Sequence, residues 1–79
     1  MMTYMEKARE RMPNVPLLVN VVSRRARQLM QGQRPMVKPD GLFMSFMDLA
    51  LKEIAEGKLS AEIAFAPVKQ TPEPNLLTL

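Results

Sequence analysis

Cysteine and histidine are both missing from this 79-residue chain. Without cysteine no disulfide can staple a small fold. Without histidine the commonest general base is absent, and zinc loses its usual ligands, because carboxylates alone favour harder ions. Catalysis by Lys, Ser or carboxylates stays open in principle, but nothing in the sequence assembles such groups. Long apolar runs are missing too: Pro, Asn or charge interrupts each one well short of the ~18 residues of a membrane span. The first segment has Glu6 and Glu10 among its bases and lacks a signal peptide's apolar core. These absences point to a cytoplasmic protein without membrane, metal or cofactor, and with no catalytic residues of its own.

A chain this short forms at most one small domain. Such a domain buries only about 60% of its unfolded surface, and a lone core rarely supplies more than ~3–5 kcal/mol. With disulfides and metal set aside, a partner is the remaining source of stability, and the composition leans towards a subunit. The net charge of +3 is unevenly placed: residues 1–34 carry seven Lys/Arg against two Glu, whereas residues 35–79 carry four Lys against six acids. The basic half should seek an acidic surface, and the acidic half argues against wrapping nucleic acid end to end.

Thr3 and Glu6 have the spacing of a capping box, and Tyr4 or Met5, Ala8 and Met12 form a weak apolar stripe that Pro13 ends. Asn14 caps a second helix over about residues 15–31, with Pro16 in its first turn and Gly32 as its αL terminator. Val15, Leu18, Val19, Val22, Ala26 and Leu29 or Met30 follow its 3.6 period. Residues 33–44, with two prolines and a Pro-Asp-Gly turn, read as a loop long enough to need something to lie against. Ser45 and Asp48 repeat the capping-box spacing with the shorter acid, ahead of a stripe of Phe46, Met47, Ala50, Leu51 and Ile54 that ends at Gly57. Residues 59–65 alternate like a strand, but Ser60 also suits a short helix, and a lone strand is unstable. The expectation is an all-α fold of three, possibly four, helices with an extended loop: one domain over residues 1–66, then a Pro-rich flexible tail over 67–79.

Arg24, Arg25 and Arg27 fan over one side of the second helix and cannot converge on a single site. They read either as a solvated basic face with snorkelling stems or as donors to partner carboxylates or phosphates. As a DNA reader the helix is poor, because its other neighbours are Val, Ala, Leu and Met. Eight methionines, several around the long loop, suit either core filling or an adaptable interface. Leu42, Phe43, Met44, Phe46 and Met47 crowd apolar surface into one place, as at protein contacts. Lys52, Glu53 and Glu56 read as the solvated face of the third helix, since no third ligand or base accompanies the two glutamates.

The run Arg25-Ala26-Arg27-Gln28-Leu29 after Asn14, followed by Ala50, Leu51, Glu53, Ile54 and Gly57 on the next helix, resembles the omega subunit family of bacterial DNA-dependent RNA polymerase. The resemblance spans about residues 12–59. It implies a non-catalytic helical accessory subunit that embraces the carboxy-terminal part of the largest (beta-prime) subunit and helps it fold and join the core enzyme, alpha2-beta-beta-prime. DNA would be met only through the complex. On that basis Asn14, Arg24, Arg25, Arg27, Gln28, Leu29, Ala50, Leu51, Glu53 and Ile54 are the expected partner contacts. Val15-Pro16 replace the family's Arg-Phe, and Ser45 stands near the place of a usual Lys. The Met-Ala-Arg-Val start that helps some relatives bind guanosine tetraphosphate is missing, so that site is not carried over to this chain, although Lys7 and Arg9 keep the neighbourhood basic. The alternative is a small nucleic-acid-binding module using Arg24, Arg25, Arg27 and Arg34.

Overall fold

A computed structural model describes residues 2–41 and 43–66. Leu42 and the tail expected at 67–79 lie outside the described residues. Four helices follow in order: α1 (Tyr4–Arg11), α2 (Val15–Met30), α3 (Phe46–Ala55) and α4 (Ala61–Phe65). No strand occurs among the described residues, so of the two readings of residues 59–65 the helical one holds.

Each helix starts where a side chain answers an orphan backbone N–H. Thr3 and Glu6 form a complete capping box. Asn14 accepts from the Leu17 N–H at 3.1 Å, and Ser60 accepts from Ile63. Ser45 accepts from the Asp48 N–H at 3.0 Å, but Asp48 does not return the bond. Its side chain is one methylene shorter than the glutamate of a full box, so the carboxylate turns outward. Gly32 and Gly57 take φ of 105° and 76°, the left-handed region where glycine is favoured. Gly57 has a second duty. The Arg11 guanidinium lies over it, and Arg11 Nε donates to the Ala55 carbonyl at 2.9 Å, which closes the carboxy end of α3 with a residue of α1.

Helix α3 is the centre of the molecule. α1 and α2 both pack on it, α4 packs on α2, and the loop over residues 31–45 covers a further side. Every residue from Leu49 to Ile54 is consequently buried, Lys52 and Glu53 included. The solvated face expected for Lys52 and Glu53 does not exist; only Glu56 reaches water. The main core joins Ala8 and Met12 of the α1 end to Leu18, Val21 and Val22 of α2, Ala50, Leu51 and Ile54 of α3, and Leu59 and Ala64. A smaller cluster of Leu29, Val37 and Leu49 anchors the long loop. Burying a side chain such as Leu18 or Ile54 contributes roughly 1.5–3 kcal/mol.

The apolar stripe of α2 is rotated from the expected one. Leu18, Val21, Val22, Arg25, Ala26 and Leu29 face inward, whereas Val15, Val19 and Met30 are exposed. With valine or leucine at six of its first eight positions, α2 offers two apolar faces at the same period, and only docking on α3 selects one. Phe46 and Met47 are likewise exposed, at the free amino end of α3.

Candidate functional site

The three arginines of α2 have three different fates. Arg25 is 5% exposed and Glu53 is 0% exposed, and they pair side-on: Nε to Oε1 at 2.6 Å and Nη2 to Oε2 at 3.0 Å. Arg25 Nη1 also donates to Gln28 Oε1 and Gln33 Oε1, and Nη2 donates to the Arg34 carbonyl at 3.1 Å. All five guanidinium N–H groups thereby find acceptors. Glu53 Oε2 additionally accepts the Met36 N–H at 2.7 Å. One buried ion pair thus joins α2, α3 and the first residues of the loop, and bidentate geometry with full satisfaction lets charges stay in a core. The expectation of a solvated Arg25 is corrected here: the guanidinium is bonded inside the chain.

Arg24 turns towards α4. Its Nε donates to the Ala64 carbonyl at 2.8 Å, and its guanidinium lies 5.4 Å from the centre of the Phe65 ring. Gln28 Nε2 donates to the same carbonyl at 3.3 Å, so two side chains of α2 hold the carboxy end of a five-residue helix. Such a short helix is unstable by itself and depends on these bonds and on buried Ala64. Arg27 alone of the three is exposed, and it makes no ion pair among the described residues. Of the other expected contact residues, Asn14 is an exposed cap, whereas Leu29, Ala50, Leu51, Glu53 and Ile54 are buried in the chain's own core.

A second polar network is not legible in the sequence. Lys52 Nζ donates to Asp40 Oδ1 at 2.8 Å and to the Lys38 carbonyl, and Tyr4 OH donates to Asp40 Oδ2. The hydrogen bond from Lys52, joined by that from Tyr4, holds the Asp40 carboxyl below its ordinary value. The hydrogen bond to Asp40 in turn raises both Lys52 and Tyr4. Tyr4 and Asp40 are 36 residues apart, and no periodicity links them. The network ties α1, the loop and α3 together, as Arg25 ties the loop to α2.

The surface also keeps much apolar area. Eleven large apolar side chains are exposed among the described residues, from Val15, Val19 and Met30 on α2 to Ile63 and Phe65 on α4. Near the start of α3 an open cleft of about 670 Å³ is lined by Tyr4, Met5, Phe43, Met44 and Leu51, with Asp40 and Asp48 at its edge. Among the described residues there is no group of acids able to hold a metal ion. No helix among them is long and apolar enough to cross a membrane.

Comparison with known proteins agrees with this architecture. The family model described as RNA polymerase Rpb6 matches residues 10–60, the stretch from the end of α1 through α3. A DNA-directed RNA polymerase subunit omega from a Nitratiruptor species is 45% identical over 47 residues, 60% of this chain and 67% of that protein. The subunit of the same name from a Sulfurovum species is 38% identical over 47 residues, covering 60% and 69%. That of Trichlorobacter lovleyi is 37% identical over 59 residues, 75% of this chain and 84% of the relative. No solved structure matches the chain with comparable significance. The matched stretch contains both Arg25 and Glu53, and the chain belongs to the omega (Rpb6) family of DNA-directed RNA polymerase subunits.

Proposed function

We propose that this omega-family chain binds the large, beta-prime subunit of a bacterial RNA polymerase and promotes that subunit's folding and its entry into the core enzyme. The observation that carries the reading is the distribution of side chains: Arg25, Lys52 and Glu53 are turned inward to hold a small core, and eleven large apolar side chains among the described residues are left outside. That arrangement suits a domain whose surface is completed by a neighbour. The reaction belongs to the polymerase; in this reading the chain supplies scaffold, works in the cytoplasm and meets DNA only through the complex.

The outer face of α2 is the contact surface this reading favours. Val15, Val19, Arg27 and Met30 recur at helical spacing and are all exposed, Met30 at 69%. Arg27 is the one arginine of its trio left to meet a partner carboxylate, and Asn14 stands at the head of the same helix. Arg24 and Gln28 border that face. Arg25, Leu29, Ala50, Leu51, Glu53 and Ile54 act on the partner only by holding the face in shape.

The test is affinity of the purified full chain for purified beta-prime, with Val19→Asp and Met30→Asp as variants. Both positions are exposed, so folding should be unchanged within about 0.5 kcal/mol, whereas affinity should drop tenfold or more. Hydrogen exchange should show residues 15–30 gaining protection in the complex. Unaltered affinity in both variants, or tight salt-dependent binding of the free chain to DNA or RNA, would overturn the reading.

A further inference from the structure

The cleft beside α3 has a chemistry opposite to that of α2. No Lys or Arg lines it among the described residues, and two carboxylates stand at its edge. Asp40 is neutralised by Lys52, but Asp48 has no ion-pair partner among the described residues and makes no bond back to its own cap. Phe43, on the cleft wall, is 97% exposed, the most exposed large apolar side chain among the described residues. The opposite wall is fixed: Tyr4 and Asp40 are held by the network centred on Lys52, so that side of the cleft is formed before anything enters it.

We propose that this cleft receives a short segment of the large polymerase subunit in which an aliphatic or aromatic anchor stands beside a lysine or arginine. The anchor packs between Phe43, Met5 and Leu51, and the base pairs with Asp48 at the rim. The inference rests on the proposed function and adds the chemistry of a second contact, distinct from the arginine side of α2. An acidic segment is disfavoured by the uncompensated Asp48, and so is a nucleic-acid phosphate. The apolar walls need an apolar side chain, which a bare cation lacks. Rim charges of this kind set specificity and encounter rate while the anchor holds the complex, so the two parts separate experimentally.

The experiment uses the full chain and purified large subunit, with Phe43→Ser, Asp48→Asn, and a chain bearing photo-crosslinking benzoylphenylalanine in place of Phe43. Melting of each free chain is recorded beside its affinity, so that a folding defect is not read as a binding defect. Phe43→Ser should leave folding unchanged and weaken binding about tenfold, mainly through faster dissociation. Asp48→Asn should weaken it severalfold at low salt and little at high salt. The crosslinked peptide should come from the large subunit and contain a Lys or Arg within a few residues of the crosslink. Wild-type affinity in both variants, a crosslink to a second copy of this chain or to nucleic acid, or a crosslinked peptide without a base would overturn the proposal. If wild type itself fails to bind the large subunit, the proposed function falls and this inference with it; if wild type binds and the variants match it, only this inference falls.

Discussion

Replacing Glu53 by alanine should unfold the isolated chain, and the reason lies in one buried pair. Glu53→Ala leaves the Arg25 guanidinium 5% exposed with two of its five bonds lost, and it deprives the Met36 N–H of its acceptor. Removing one member of a buried pair typically costs about 3–5 kcal/mol, which matches the whole ~3–5 kcal/mol that a core of this size supplies. Arg25→Ala should cost at least as much, because Glu53 is then buried alone and Gln28, Gln33 and the Arg34 carbonyl lose their donor. Arg25→Lys keeps the charge but loses the fork, and should fall between. The double change Arg25→Met with Glu53→Leu removes both charges together. It leaves the Met36 N–H, the Arg34 carbonyl and the Gln28 and Gln33 side-chain oxygens to find water, which exposed residues 33–36 and half-buried Gln28 can do, so stability should return to within about 1–2 kcal/mol of wild type.

The assay is urea unfolding followed by helical circular dichroism, with the same stabilising osmolyte in every sample to bring the single variants into range. A double-mutant cycle then isolates the coupling between the two residues. Single variants that each lose less than about 1 kcal/mol, the usual worth of an exposed pair, would refute the claim that this pair organises the fold.

Other consequences are as direct. Gly57→Ala should destabilise by about 1–2 kcal/mol, because φ is 76° and the new Cβ would come within 2.8 Å of Arg11 Nη1; adding Arg11→Ala should relieve the clash but not the backbone strain, as read from melting temperatures. The Tyr4–Asp40–Lys52 network should make stability depend on pH at both ends. Asp40 lies below its ordinary 3.8, so its contribution is complete above that value and is lost as pH falls through the lower folded one. Lys52 and Tyr4 lie above their ordinary 10.5 and 10.0, so their contributions are complete below those values and are lost as pH rises through the folded ones. Asp40→Asn should flatten the melting profile at both ends, and superimposable profiles for wild type and variant would contradict the network.

The helices themselves are readable because their causes are local. Thr3, Asn14, Ser45 and Ser60 cap, Gly32 and Gly57 terminate, and Pro13 breaks, each acting within a few residues of its own position. Family membership is readable for the same reason: its motifs are short runs on two helices with a fixed gap. The loop is readable as one that needs support, though not what supports it. Burial is read less well. Local pattern assigns Glu53 and Lys52 to water, yet the Leu49–Ile54 stretch of α3 is enclosed by elements the pattern does not position. It assigns Val15 and Val19 inward, but the valine-rich face of α2 offers two stripes and leaves that choice to packing.

Local order along the chain therefore dictated where helices begin, where they stop and which family they build. Tertiary structure decided which charges are structural and which remain available, since an arginine's role depends on whether a carboxylate 28 residues away arrives at its fork. Arg25 meets Glu53 and becomes part of the core, Arg24 meets a carbonyl of α4, and Arg27, one turn from Arg24, meets water. The burial of a charge follows from the distant groups that compensate its lost hydration, and those are fixed only when the helices pack.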